Sequence, residues 1–250
     1  EEILSGKEER LRAVIASGSN PLRSYADTSA YEEAFAKLDL LVTVDVVPSE
    51  TAVLSHYVLP AASAYEKWDG TFFPWTWPEV FFQMRRPMVA PEGECLEEGE
   101  IFTRIAERMG LLPEIPESLI QAAAGDRAAF GVELMGFLGE NPGAMKFVPM
   151  VLTQTLGRTL GSAHLAALWG LLQVAPQEFR DNAERAGFTP GPLMGEEVFQ
   201  AVLDRPEGLW VGRCDPEKNL ASLQTEDKRV QVHIPELSEW VKSIQPESEE

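Results

Sequence analysis

Three short apolar runs alternate with amphipathic segments in the first part of the chain. Residues 11–16, 40–47 and 56–60 are rich in aliphatic and β-branched side chains, and the middle run is almost continuously apolar. A continuous β-branched run of this length is typical of a strand that is buried on both faces of a sheet. The pattern therefore predicts three strands.

Helical spacing separates and follows these runs. Tyr31, Phe35 and Leu38 recur at i, i+4 and i+7, and further helices are predicted over residues 52–55 and 100–109. Strands separated by helices at this spacing predict parallel β-α-β units. Because such crossovers are right-handed, the carboxyl ends of the three strands are expected at one edge of the sheet.

The pattern becomes entirely helical between about residue 113 and residue 187. Residues 141–175 carry only two formal charges, Lys146 and Arg158, so these helices must be covered by other apolar surface. Two interpretations stay open. The helices pack on each other as a hairpin that turns near residues 157–161, or they cover a surface of a larger assembly.

The last part of the chain is mixed in pattern. A short helix is predicted over residues 196–203, and two strands over 208–212 and 230–234. The fold class expected for the whole is α/β: a three-layer, Rossmann-like, mainly parallel sheet with an additional helical segment and a short β element near the C-terminus. The expected divisions are an α/β region (1–112), a helical segment (113–190), a return segment (191–240) and an acidic tail (241–250).

Charge narrows the possible partners. The 250 residues include 40 acidic and 21 basic side chains, which give a formal net charge of −19. Such a surface repels phosphates at long range, so we expect neither nucleic acid nor an anionic membrane as a partner. The uncharged run at 159–177 contains Ser, His, Gln and Pro residues and is not expected to span a membrane.

The two ends of the sequence suggest a piece of a longer protein. The chain begins at Glu1 without an initiator methionine, and it contains no signal peptide. It ends on an acidic stretch. Any export signal would lie upstream, and the cytoplasm is the favoured compartment.

Most familiar catalytic patterns are missing. The three histidines are far apart in sequence, and Cys95 and Cys214 form no C-x-x-C pair, so no metal site is predicted. There is no P-loop, no G-x-S-x-G and no H-E-x-x-H motif. Acidic pairs such as Glu97-Glu98 are interpreted as solvated surface. We identify no catalytic residue.

Residues suited to a nucleotide follow the predicted strands. Gly18 and Asn20 come after the first strand, and Asp45 ends the second. Nucleotides bind at the carboxyl edge of open parallel sheets, where Gly permits close approach and Asp accepts from ribose or guanine. Lys67, after the third strand, could reach a phosphate. The alternative is a Rossmann-like sheet whose turns merely use Gly, Asn and Asp.

Four blocks follow one another in the first part of the chain: Gly18-x-Asn20-Pro21, Val44-Asp45-x-x-x-Ser49-Glu50-Thr51-Ala52, Tyr57-Val58-Leu59-Pro60-Ala61 and Glu66-Lys67-x-Asp69-Gly70-Thr71-Phe72. Taken in order, they resemble the molybdopterin oxidoreductase family, which includes dimethyl sulfoxide reductases, formate dehydrogenases and nitrate reductases. The family pattern is roughly G-x-N-P, D-x-x-x-T-E-T-A, A-D-V-V-L-P and E-x-x-G-T-F.

The resemblance implies a large catalytic subunit that holds molybdenum or tungsten between two molybdopterin guanine dinucleotides. This chain resembles an internal slice, the α/β domain that holds one guanine-nucleotide end. The metal-ligating residue, the β-barrel domain and an N-terminal iron–sulfur domain would lie outside it. The site residues implied by the resemblance are Gly18, Ser19 and Asn20 along the nucleotide, Val44 and Asp45 at guanosine, Lys67 near the dinucleotide, and Glu100 by a weaker match.

The chain also departs from the family pattern. Ser55-His56-Tyr57 replaces the usual A-D before V-L-P, and Trp68 is inserted after Lys67. Residues 74–79 replace a stretch that lies near cofactor and substrate access in the family, so the substrate class cannot be inferred. Trp75 and Trp77 in this stretch either face a ligand or partner or pack in a core.

The resulting hypothesis is a fragment of a molybdopterin-dependent oxidoreductase that is inactive in isolation. Its expected partners are the remaining domains of the same subunit and an electron-transfer subunit. The alternative is a non-catalytic interaction module that docks partner subunits through its apolar helices.

Overall fold

A three-stranded parallel sheet is the centre of the α/β region. The computed structural model describes residues 2–5, 7–71 and 76–244. The strands are β1 (Ala13–Ser17), β2 (Leu40–Asp45) and β3 (Tyr57–Pro60), in the order β1-β2-β3. Ser17 pairs with Val44 and Val44 with Leu59, so the three strands end together at one edge. This confirms the three predicted strands and their parallel arrangement.

Helices cover both faces of this sheet. The helices of the region are α1 (Pro21–Ser24), α2 (Thr28–Ala36), α3 (Glu50–Leu54) and α4 (Glu98–Arg108). Leu41 of β2 packs with Phe35 of α2, whereas Val44 packs with Ile101 of α4. Since Leu41 and Val44 are three residues apart on one strand, they point to opposite faces. The predicted three-layer α/β arrangement is confirmed.

Two small antiparallel pairs lie beside the parallel sheet. Strand β4 (Asp69–Gly70) pairs with β6 (Met84–Arg85), and β5 (Glu79–Phe82) pairs with a strand far along the chain, β7 (Leu209–Arg213). The sequence predicted β7 but not β5. Residues 72–75, including Trp75, lie outside the described residues. The other tryptophan of that stretch, Trp77, is 59% exposed.

The middle of the chain is helical, as predicted. Its elements are α5 (Glu117–Ala123), α6 (Arg127–Glu140), a 3₁₀ turn (Pro142–Phe147), α7 (Val148–Leu152), a π turn (Thr153–Gly157), α8 (Arg158–Leu160), α9 (Ala163–Gln173), α10 (Gln177–Arg185) and α11 (Met194–Asp204). The chain reverses at Gly161, whose φ of 69° is left-handed and favours glycine. Helix α9 packs back on residues 148–160, so the hairpin interpretation is correct.

The largest apolar core lies within this helical part. Trp169, Phe130, Leu156 and Phe199 are almost fully buried in it, and Met84 of β6 joins it from the α/β side. The Trp169 and Phe130 rings lie 5.3 Å apart between centroids. Trp169 Nε1 donates to Glu196 Oε2 at 2.8 Å, which satisfies the one polar atom that this ring carries into the core.

The C-terminal part differs from the prediction. It contains α12 (Pro216–Ala221) and α13 (Pro235–Ser243), and the predicted strand over residues 230–234 is wrong. Val230 and Val232 are 65% and 92% exposed, and no neighbouring strand offers this segment hydrogen bonds in the described residues. Helix α13 extends into the predicted acidic tail, of which residues 245–250 lie outside the described residues. Across the described ranges, every helix is too short or too polar to cross a bilayer.

Candidate functional site at the carboxyl edge of the parallel sheet

The ends of β1 and β2 meet through a backbone hydrogen bond. Gly18 N donates to Val44 O at 2.9 Å, directly after the last paired residues of the two strands. Gly18 has a φ of 55°, and no heavy atom lies within 4 Å of the place where a side chain would begin. The glycine therefore satisfies a left-handed turn and leaves open space at the edge of the sheet.

Asn20 fixes the loop after β1 to the start of α3. Its Oδ1 accepts from Thr51 Oγ1 at 2.8 Å and from Thr51 N at 3.3 Å, and its Nδ2 donates to Glu50 Oε2 at 2.6 Å. The hydrogen bond from Asn20 helps to hold the pKa of Glu50 below its ordinary value. Because the amide is already engaged at both ends, Asn20 shapes the edge, and the neighbouring Ser19 is half-buried beside it.

Asp45 is the acidic group at the end of β2. Its Oδ1 accepts from Val46 N at 2.7 Å, and its Oδ2 lies 3.4 Å from Ser49 Oγ. The side chain is half-buried, and each carboxylate oxygen has further acceptor capacity. The preceding Val44 is buried and its carbonyl accepts from Gly18, so Val44 contributes to the edge through its backbone.

Lys67 and Glu100 are held at helix α4. Lys67 is only 8% exposed, and its Nζ lies 2.5 and 2.6 Å from the two carboxylate oxygens of Glu98. Glu100 pairs with Arg104 Nε at 2.7 Å and lines a cleft of about 720 Å³ between the α/β region and the helical segment. Within the described part of the chain, no hydrogen bond or ion pair joins Lys67 or Glu100 to the edge residues. Gly18, Asn20 and Asp45 thus share the carboxyl edge of the sheet, whereas Lys67 and Glu100 bond to partners on α4.

Sequence reasoning missed the roles of Glu97 and Glu98. Glu97 accepts from Ser162 Oγ at 2.8 Å and from Ala163 N at 2.6 Å, so it caps the N-terminus of α9. Glu98 binds Lys67 and also lies 3.4 Å from His164 Nε2. Their interpretation as solvated surface is therefore wrong. Their partners on α9 lie more than sixty residues away, and no local pattern signals such a contact.

This cluster shifts two pKa values. Burial alone would raise the pKa of Glu98, but hydrogen bonds from His164 and Lys67 outweigh it and lower that pKa to about 2. Burial would likewise lower the pKa of His164, but hydrogen bonds with Glu98 and the Trp68 carbonyl raise it above its ordinary value. Both residues therefore favour their charged forms.

The described residues do not form a metal centre. No group of three or more His, Cys, Asp or Glu side chains in residues 2–5, 7–71 and 76–244 is placed to hold a metal ion. Cys95 and Cys214 are free thiols.

Comparison with known proteins identifies the segment that builds the sheet edge. A family model described as molybdopterin oxidoreductase matches residues 2–108, from the N-terminal residues through the last residue of α4. Residues 2–108 are therefore similar to the molybdopterin oxidoreductase family. The resemblance carried by the four sequence blocks is confirmed.

Curated relatives match a stretch of similar length. The F420-dependent formate dehydrogenase subunit alpha of Methanocaldococcus jannaschii is 38% identical over 109 residues, which are 44% of this chain and 16% of that protein. The trimethylamine-N-oxide reductase of Haemophilus influenzae is 30% identical over 107 residues, which are 43% of this chain and 13% of that protein. The chain thus spans about a sixth or less of the length of these relatives.

One solved structure is also similar over part of the chain. Acetylene hydratase from Pelobacter acetylenicus is 30% identical, and the match covers 44% of this chain and 15% of that one with a TM-score of 0.38.

Proposed function

We propose that this chain is part of a molybdopterin-dependent oxidoreductase and that its sheet edge holds one guanine-nucleotide end of a molybdopterin guanine dinucleotide. The observation that carries this proposal is the juxtaposition of Gly18, Asn20 and Asp45 at the carboxyl edge of three parallel strands. These residues fall within the family-matched segment. In open parallel sheets this edge is where nucleotides bind.

The chemistry of the edge fits a nucleoside better than a phosphate. Gly18 leaves open space for close approach to the backbone, and Asp45 offers carboxylate oxygens to guanine N–H or ribose O–H donors. The nearby Glu50 is acidic and would repel a pyrophosphate, although Arg23 Nε lies 3.4 Å from it. The charged phosphates therefore need cations or backbone N–H groups beyond this edge.

The role proposed for Lys67 requires a change of partner. Its ammonium group now lies between the two oxygens of Glu98, and it would have to turn away to meet a phosphate. Glu98 would then keep one cationic neighbour, His164. Glu100, which lines the cleft next to α4, is the weakest member of the proposed set.

When bound, the cofactor supplies the molybdenum or tungsten redox centre, and the chain's own residues bind and orient its nucleotide end. The metal ligand and any iron–sulfur cluster belong, in this proposal, to parts of the enzyme outside the chain. The methanogen relative is named as a subunit alpha, which supports further subunits as partners.

The test uses Asp45→Ala in the intact enzyme, with molybdenum or tungsten and pterin content as the readout. We expect a lower cofactor content than in wild type, because the variant removes the acceptor at the sheet edge. Asp39→Ala is the matched control, since Asp39 precedes the same strand at its opposite end and pairs with Arg12. Equal cofactor content in the two variants would reject the proposed site.

Lys67→Ala in the intact enzyme tests the second part of the proposal. We expect reduced cofactor content, and a thermal unfolding curve must accompany it because Glu98 loses a buried partner. Cofactor content equal to wild type would remove Lys67 from the proposed site.

A second candidate function is an interaction module. An apolar groove of about 590 Å³ lies between α6, α7, α9 and α11, and several of its lining side chains are exposed: Val132, Met135, Met145, Val174 and Leu193. Exposed apolar surface of this kind is typical of contact sites. Met135→Glu is expected to disturb assembly of the intact enzyme without lowering cofactor content, and unchanged assembly would reject this function.

A further inference from the structure

Three separate segments meet around the first turn of α9. Lys67 comes from the segment after β3, Glu97 and Glu98 from the start of α4, and His164 from α9. Glu97 accepts from Ser162 Oγ, Ala163 N and His164 N, while Glu98 contacts both Lys67 and His164. Two consecutive carboxylates of the α/β region thus hold the N-terminus of one helix in the helical segment.

Both ring nitrogens of His164 face acceptors. Nδ1 lies 2.8 Å from the Trp68 carbonyl oxygen, and Nε2 lies 3.4 Å from Glu98 Oε2. A neutral imidazole carries a single N–H and can serve only one of these oxygens, whereas the imidazolium serves both. In the neutral ring, a nitrogen lone pair would therefore face an oxygen atom.

The charges around His164 favour the same protonated form. Glu97 and Glu98 of α4 are the acidic groups that face it, and Lys67 is the cation that opposes them. The guanidinium carbon of Arg86 lies 5.9 Å from the centre of the Trp68 ring, in the segment after β3. Glu196 is the acidic residue of α11 that contacts α9. It binds Trp169, which lies more than one helical turn beyond His164.

We propose that His164 is a pH-dependent clamp that joins the helical segment to the α/β region. When protonated, it holds the first turn of α9 against Glu98 and the Trp68 carbonyl. When it loses its proton, this contact weakens and the N-terminus of α9 opens more readily. The inference rests on the contacts between the two regions and holds whether or not the sheet edge binds a nucleotide.

The direction of the pH effect follows from linkage. The pKa of His164 is raised in the folded chain, so its contribution is complete below the unfolded-state value and is lost as pH rises through the folded-state value. The clamp is therefore closed in mildly acidic solution and loosens toward alkaline pH. Each unit by which the folded-state pKa of His164 exceeds the unfolded-state pKa changes the opening equilibrium by about tenfold.

Native-state hydrogen exchange of the full chain tests the clamp. Protection of the α9 N-terminus, corrected for intrinsic exchange, is expected to fall between pH 6 and pH 9, while β1, β2 and β3 keep theirs. His164→Gln should show weak protection that no longer depends on pH in this range, and His233→Gln is the control because His233 lies in an exposed segment. A wild-type profile in His164→Gln, or constant protection in the wild-type chain, would overturn the proposal.

A second measurement keeps the proposal testable if His164→Gln fails to fold. NMR titration of the imidazole signals should give His164 a higher pKa in the folded chain than in the denatured chain. The difference between the two pKa values should then account for the loss of protection, at about a tenfold change in the opening equilibrium per pKa unit. A His164 pKa in the folded chain at or below its value in the denatured chain would contradict the clamp.

Discussion

Helices α9 and α11 approach each other too closely at Gly195 for any side chain to fit there. A Cβ at this position would lie 2.5 Å from the carbonyl oxygen of Leu172 and 2.9 Å from its carbonyl carbon. Gly195→Ala must therefore separate the two backbones by about 1 Å to restore ordinary contact distances. We predict that this single methyl group destabilises the chain.

The expected magnitude follows from two opposing effects. Overpacking of this kind costs about 1–3 kcal/mol, whereas replacing Gly by Ala in a helix returns at most about 1 kcal/mol. The net loss is about 1–2 kcal/mol. For a chain of this size that loss lowers Tm by roughly 2–8 °C.

Two other glycines provide matched controls. Gly170→Ala would place a Cβ 2.5 Å from Leu152 Cδ1, the end of a flexible side chain that can rotate away, and Gly136→Ala meets nothing within 4 Å. We expect Gly195→Ala to be the least stable and Gly136→Ala to equal or exceed wild type, with Gly170→Ala in between. Thermal and guanidinium unfolding followed by far-UV circular dichroism measures this order. Wild-type stability in Gly195→Ala would refute the close-packing argument.

Three further results are expected. The pKa of Glu98 is lowered to about 2 from an ordinary 4.5, so its contribution to stability is lost as pH falls through about 2. In Glu98→Gln, the denaturant concentration at the unfolding midpoint should therefore fall less steeply at acidic pH than in wild type. Removing residues 222–250 should leave Tm unchanged, because no residue of α13 is buried, and a clear drop would show that this helix is docked. Calorimetric titration of the isolated chain with GDP should give a dissociation constant of roughly tens of micromolar or weaker, since half of a nanomolar binding free energy is about 6 kcal/mol. A submicromolar constant would mean that the nucleotide site is complete in this chain.

The parallel sheet could be predicted because its signals are local. The run at 40–47 is almost continuously apolar and rich in β-branched residues, which is typical of a strand covered on both faces. The edge residues Gly18 and Asp45 follow from strand order alone, since parallel strands end together. Local pattern and topology therefore sufficed for this part of the candidate site.

The rest depended on contacts between distant residues. The pattern at 230–234 is as strand-like as the one at 208–212, yet among residues 2–5, 7–71 and 76–244 only the second finds a neighbouring strand, β5. Glu97 and Glu98 look like any acidic pair in a chain with 40 carboxylates, and their partners on α9 become neighbours only after the helices pack. A strand or an ion pair is a property of two segments, and one segment's composition does not reveal the other.

The pairing of β5 with β7 has a consequence for protein engineering. Strand β5 lies in the family-matched segment, but the strand that completes it lies near residue 210, beyond the whole helical part. A graft of residues 2–108 into another protein would carry β5 without its partner strand, and Phe81 and Phe82 would be separated from Trp210 and Leu209. Transplanting residues 2–108 with β5 paired therefore requires residues 209–213 as well, supplied either by the host or as a separate peptide.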